Sequence, residues 1–123
     1  MSKRVLSVGQ CSVDHAAIVR LVQGAFGAQV VSADLPDDAL SRLKKEAFDL
    51  VLVNRKLDAD YSDGLEIIKE IKQDPALKTV PVMLVTNYPD QQQLAVEAGA
   101  EPGFGKLEYD KPSTHQKLSK YLA

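Results

Sequence analysis

The chain has 123 residues, 45% of them hydrophobic and 26% charged, and a net charge of −2. That size suits one domain over residues 1–123 with its own buried core, and that balance argues against bulk nucleic acid or an anionic membrane as the main partner. A single cysteine, Cys11, excludes an internal disulfide framework and any multi-cysteine metal site and reads as a small buried apolar side chain or an inert thiol.

Met1-Ser2-Lys3-Arg4 runs directly into a short apolar strand, Val5–Val8, rather than into a signal peptide's longer apolar stretch. No apolar run approaches the roughly 20 residues that a membrane helix needs, so the expected compartment is the cytoplasm. Gly9 ends the first strand. Ser12 is a candidate cap for a helix with apolar positions at Val13, Ala16, Ala17, Val19/Arg20 and Leu21, closed by Gly24 and Gly27. Gln29–Ala33 reads as a second strand. Asp34 precedes Pro36, which suits a first helical position, and the helix continues through Ala39, Leu40 and Leu43.

Asp49–Asn54 (Asp-Leu-Val-Leu-Val-Asn) is the central stretch. Four consecutive Leu and Val residues fit a strand buried on both faces of a parallel sheet, and a neutral carboxamide stands at its end. The polar loop Arg55–Asp63 leads to Gly64 and a third helix carrying Leu65, Ile68 and Ile71, ended by Asp74-Pro75. Val80–Val85 is a fourth strand, Asp90–Ala98 a fourth helix with Gly99 as its C-cap, Gly103-Phe104-Gly105 a poor fifth strand, and Pro112–Leu122 a last helix. Alternation of strands and helices over short loops means βαβ units, a mainly parallel sheet and three layers. The ligand-competent edge is then the carboxyl ends of the strands, where Gly9, Gln10, Asn54, Thr86 and Lys106 are expected to converge.

Several stretches together resemble the receiver domains of bacterial two-component response regulators, over roughly residues 3 to 122. Phe48–Val53 looks like the strand that leads to the phosphorylated aspartate, and Asp63-Gly64-Leu65-Glu66 like the Asp-Gly start of the third helix. Pro81–Thr86 and Glu97-Ala98-Gly99-Ala100 look like the strand-plus-threonine and the Ala-Gly-Ala stretch. The resemblance implies a flavodoxin-like (βα)5 α/β sandwich with strand order 2-1-3-4-5. It places the family's magnesium-holding acidic pair on Gly9 and Gln10 and its phosphoacceptor on Asn54, at the spacing expected in the family. Thr86 matches the phosphoryl-contacting threonine, Lys106 the pocket lysine, Gly103 the aromatic switch residue, and Leu107 the proline that follows the lysine. Lys111, which precedes Pro112, is a competing assignment for the lysine that requires an insertion.

An aspartyl phosphate needs an ionised carboxylate as nucleophile, and a carboxamide is none. Magnesium favours hard oxygen ligands, chiefly carboxylates, and Gly9, Gln10 and Asn54 supply no acid. The expectation is therefore an atypical receiver with no bound metal and no cofactor, not an enzyme, acting by phosphorylation-independent contact with a protein partner. A buried lysine without a partner is costly, so Lys106 is expected to donate to Asn54 or Gln10, or to swing toward solvent and Glu108.

Two alternative functions stay open: a phosphoryl acceptor built on a displaced loop acid, Asp58 or Asp60, and a small-ligand sensor at the emptied switch-point pocket. Gly103-Phe104-Gly105-Lys106 lacks the Gly and Ser/Thr of a phosphate loop at Ala100 and Leu107. Asp58–Gly64 has its glycine one place late for a calcium loop. His15 and His115 suit surface or capping roles. Lys111, Lys117 and Lys120 give the last helix a basic side. In the family the fourth helix, fifth strand and fifth helix form the partner-binding face, so a docking role, or a homodimer, is expected there, with no direct nucleic-acid or membrane contact.

Overall fold

The computed structural model describes residues 3–123. The elements are β1 (Arg4–Val8), α1 (Ser12–Phe26), β2 (Gln29–Ala33), α2 (Pro36–Lys45), β3 (Leu50–Asn54), α3 (Gly64–Gln73), β4 (Val82–Val85), α4 (Pro89–Glu97), β5 (Glu101–Phe104) and α5 (Pro112–Leu122). The strands form one sheet in the order β2-β1-β3-β4-β5, every neighbouring pair parallel, which is the doubly wound order expected from the sequence.

The alternation of side chains along each strand divides the interior into two cores. Leu6, Val8, Val51, Val53, Val82 and Leu84 point to one face, where Ala39 and Leu43 of α2, Leu65, Ile68 and Ile71 of α3, and Ala95 of α4 cover them. Val5, Leu50, Leu52, Met83 and Val85 point to the other, against Ile18 and Val22 of α1 and Leu118 and Leu122 of α5. All five residues of β3 are buried, because central parallel strands are covered on both sides.

Element ends differ from the sequence reading in several places, and β4 begins at Val82 rather than Val80. Cys11, not Ser12, is the N-cap of α1: its Sγ accepts a weak hydrogen bond from the Asp14 amide at 3.5 Å. Gly24 lies inside α1, and Gly27 alone closes it, in the left-handed region at φ 64° that glycine adopts without strain. α4 begins one residue earlier than expected, at Pro89, and is capped by Ala98, with Gly99 following at φ 109°. β5 runs over Glu101–Phe104, tolerating Pro102 because an edge strand leaves one row of amides unpaired.

Candidate functional site

β3 delivers Asn54 to the carboxyl edge of the sheet, 6% exposed. Its Nδ2 donates to the carbonyl oxygens of Gly9 (3.2 Å) and Lys56 (2.8 Å). Two carbonyl acceptors fix which end of the amide faces inward: the donor, which leaves no nucleophile there. Asp63 caps α3 by accepting from the Leu65 amide at 2.9 Å, and Gly64 packs so tightly under β3 that a Cβ would overlap the Asn54 carbonyl oxygen. The Asp-Gly pair thus holds the end of β3 in place.

Over Gly9 lies a residue that the sequence reading left inside a polar loop. Leu57 is fully buried, and a Cβ built at Gly9 would overlap its Cγ and stand 2.9 Å from its Cα. The Asp58 amide donates to the Gly9 carbonyl oxygen at 2.9 Å, the Leu57 amide to Ser62 O at 2.9 Å and the Tyr61 amide to Leu57 O at 2.8 Å. The β3–α3 loop therefore folds back and sets an apolar side chain where a side chain at position 9 would project. Gly9 itself sits at φ 70°.

Asn54, Thr86 and Lys106 line one cleft of about 330 Å3, with Arg55, Lys56 and Tyr88. Thr86 Oγ1 accepts from the Tyr88 amide at 3.3 Å, and the Arg55 guanidinium lies over the Tyr88 ring at 5.1 Å. Gln10 does not join them: it lines a second cleft beside Ser7, Asp34 and Asp58. Lys111 precedes α5 and borders a separate groove with Tyr109 and His115, whose imidazole stacks on Phe26 at 4.7 Å. Neither loop acid approaches Lys106: Asp58 lines the Gln10 cleft, and Asp60 accepts from the Ser62 amide at 2.9 Å.

The lysine is paired differently from the expectation. Lys106 Nζ stands 2.9 Å from Asp14 Oδ2, and neither Asn54 nor Gln10 accepts from it. Glu108 instead accepts from the Gly105 amide at 2.7 Å. Asp14 also accepts from the Cys11 thiol (3.3 Å) and the Tyr109 hydroxyl (3.2 Å). Burial pushes the Asp14 carboxyl up, but the hydrogen bonds from Lys106, Cys11 and Tyr109 and the lysine's charge outweigh it, leaving Asp14 below the ordinary value of 3.8. The Tyr109 hydroxyl is pushed well up, first by burial and then by the Asp14 charge.

The sequence reading did not single out Asp14, an acid in the first turn of α1, where the helix end favours a negative charge. Its partner was not legible, because Lys106 lies at the far end of the chain. The pair's contribution is present above the unfolded carboxylate value and lost as pH falls through Asp14's lowered one. Asp14→Asn is expected to lower stability near neutral pH by about 1 kcal/mol, the lysine being partly solvated, and to flatten the loss of stability below about pH 4. Chemical denaturation as a function of pH checks this: equal acid slopes in both proteins would exclude the pair as a contributor.

At β5, a Cβ on Gly103 would overlap the Leu84 carbonyl oxygen. The β4–β5 register slips between Met83 and Val85, and Gln92 of α4 fills the gap with its carboxamide. Gln92 Oε1 accepts from the Gly103 amide at 3.1 Å, and its Nε2 donates to Leu84 O at 2.8 Å. From the other side, Lys117 of α5 donates to Gly103 O at 2.8 Å. Gly105 is similarly crowded by Asn87, which also accepts from the Leu107 amide at 3.2 Å, a bond that a proline there would lose.

The family's magnesium does not fit these residues. Position 9 has no side chain and is covered by Leu57, and Asn54 presents a donor inward. Among the described residues, no group of three or more His, Cys, Asp and Glu is placed to hold a metal ion, and no helix is long and apolar enough to cross a membrane.

The fold and its carboxyl-edge site define a doubly wound α/β domain of the receiver type. A family model described as the response regulator receiver domain matches residues 12–122. The chain belongs to that family, and its acceptor position carries Asn54 in place of aspartate. It is 32% identical over 113 residues to the transcriptional regulatory protein ZraR of Klebsiella oxytoca, covering 90% of this chain and 24% of that protein. It thus spans about a quarter of the length of that curated relative. A putative response regulator from Chloroflexus aurantiacus superposes with a TM-score of 0.86 at 22% identity, over 99% of this chain and 98% of that one. The N-terminal domain of a response regulator receiver protein from Methanoculleus marisnigri gives 0.71 at 26% identity, over 95% and 90%.

Proposed function

We propose that this domain is a regulatory receiver that works without phosphorylation, by presenting one fixed surface to a protein partner. The observation that supports this reading is the closure at Gly9: Leu57 occupies the space that a side chain on this backbone would enter, and Asn54 donates to the Gly9 carbonyl oxygen. Asn54, Gly9 and Gln10 are in this reading the altered acceptor and acidic-pair positions. Thr86 and Lys106 are retained pocket residues, and Gly103 stands at the position of the switch aromatic.

The partner surface is the α4–β5–α5 face. Gln92 and Lys117 reach Gly103 from the two flanking helices, so the face is held in one arrangement. Leu94 and Val96 stand exposed on α4, and Lys111 and Lys120 add positive charge at the two ends of α5. A signalling protein or output domain docks there, or a second copy of this chain, in the cytoplasm. Any switching comes from partner binding that shifts populations.

Incubation with a small phosphodonor and magnesium, followed by intact-mass spectrometry, tests the reading. The expected result is unmodified protein under conditions that phosphorylate an ordinary receiver; an acyl phosphate on Asp58, Asp60 or any other side chain would overturn it.

A further inference from the structure

The two edges of the sheet are finished differently. β5 carries Pro102 and a register slip against β4, and Lys117 donates to its Gly103 carbonyl oxygen at 2.8 Å. Proline, irregularity and lysine are devices that keep an edge strand from pairing with another chain. β2, Gln29–Ala33, has none of them: it contains neither proline nor charge and pairs with β1 in unbroken register. The Gln29 amide donates to Lys3 O at 2.9 Å, and Ala33 O accepts from the Gly9 amide at 2.8 Å. Gln29, Val31 and Ala33 therefore turn their backbone groups toward β1. Val30 and Ser32 turn theirs outward, and this outer row has no partner among the described residues. Ser32 is exposed, and both valines are half-buried.

The helix beside this edge is charged with a direction. α2 packs on β1 and β2, with Asp37 and Asp38 in its first turn and Arg42, Lys44 and Lys45 in its last. Lys44 reaches Asp74, at the end of α3, at 3.9 Å, which marks the flank that faces α3. Helical spacing puts Asp38, Arg42 and Lys45 on the other flank, above β2. Arg42 is paired with Glu46 at 3.1 Å. Asp38 and Lys45 are exposed, and neither has an ion-pair partner among the described residues.

We propose that a second copy of this chain adds to β2, antiparallel, about a two-fold axis through Val31, so that the two sheets become one. In that register Val30 of each copy faces Ser32 of the other. These are the residues with free backbone groups, and each such pair exchanges two hydrogen bonds. Val31, on the face covered by α2, meets its own counterpart. The two α2 helices then run antiparallel on one face, with Asp38 of each near Lys45 of the other. Opposite charges meet at both symmetric contacts, whereas a parallel arrangement would set like charges together. So short a strand pairing buries little area, which suits a weak, reversible dimer. The α4–β5–α5 face stays free, and the proposal stands whether or not the phosphorylation reading holds.

Sedimentation of the whole chain from about 1 μM to 1 mM tests this. The expected result is a reversible monomer–dimer equilibrium with a Kd on the order of 1–100 μM. Asp38→Lys and Lys45→Glu are each expected to raise that Kd about tenfold or more, because either reversal acts at both symmetric contacts. An equimolar mixture of the two variants is expected to regain the parent's affinity, since each complements the other at both contacts, a recovery that misfolded variants would not give. Hydrogen exchange read by 1H–15N NMR supplies the register. The Val30 and Ser32 amides are expected to lose protection on dilution, while the Val31 amide, turned toward β1, keeps it. A monomer up to about 1 mM overturns the proposal. So does a mixture no tighter than its components, or a dimer indifferent to both reversals, as one through α4–β5–α5 would be.

Discussion

Gly9→Asp is expected to destabilise the domain by about 3–5 kcal/mol, the sum of left-handed backbone strain and overpacking. The residue sits at φ 70°, and its Cβ would overlap Leu57 Cγ. The companion change Asn54→Asp is expected to cost about 2–4 kcal/mol on different grounds. It replaces a donor by an acceptor opposite the carbonyl oxygens of Gly9 and Lys56, so electron-rich atoms would face one another in a buried site.

Thermal or urea unfolding reads both effects. Neither single substitution, nor the two together, is expected to restore acyl-phosphate formation. Leu57→Ala combined with Gly9→Asp is the informative double variant. If the leucine is what closes the site, the pair will be less destabilised than the sum of its parts, because deleting the leucine removes part of the overlap. Strict additivity would show that Leu57 is a bystander, and near-wild-type stability of Gly9→Asp would show that the loop moves aside easily.

Gly103→Ala is expected to destabilise by about 3 kcal/mol, and Gly103→Tyr by at least as much. The methyl group alone would overlap the Leu84 carbonyl oxygen, and the Gln92 carboxamide lies 3.0–3.2 Å from it. An aromatic residue at this position is therefore not silent. It would displace Gln92 from Leu84 and Gly103 and open the β4–β5 edge at the register slip. Gln92→Leu, which keeps the bulk but not the hydrogen bonds, is expected to cost about 1–3 kcal/mol by leaving the Gly103 amide and the Leu84 carbonyl less satisfied. Hydrogen exchange at Gly103 provides the local readout. Rapid exchange in the variant against slow exchange in the parent is the expected pattern, and equal protection would mean that Gln92 does not hold this edge.

Both results bear on regulation. The proposed docking role of the α4–β5–α5 face makes its rigidity the point at issue. Here Gln92 and Lys117 tie that face at Gly103, and the cation of the pocket is paired with Asp14 on α1. No acid stands at the Asn54 position, and the carboxylate that meets the pocket lysine is Asp14. It neutralises Lys106 but lies on the first turn of α1 rather than at the tip of β3.

Much of the fold was legible in local chemistry. The run Leu50–Val53 could be buried only as a strand covered on both faces, and its alternation with amphipathic segments dictated a parallel, doubly wound sheet. The carboxamide of Asn54 at the acceptor position needed only the register of the chain. The pairing of Lys106 was misread, as was the direction of Gln10, because both depend on what residues distant in sequence place nearby. Leu57 was hidden for a similar reason: a single apolar residue among Arg55, Lys56, Asp58 and Asp60 carries no period, and only the folded loop shows it inside.

The amino-acid sequence by itself therefore determined the architecture and the loss of the nucleophile, since strand burial and carboxamide chemistry are properties of residue type and spacing. The tertiary structure alone decided how the vacated site was rebuilt: Leu57 over Gly9, Asp14 against Lys106, and the Gln92 amide spliced between β4 and β5. Packing overlaps, ion pairs and hydrogen bonds act over a few ångströms. Which groups come that close is set by the whole chain's path, not by any one stretch of it.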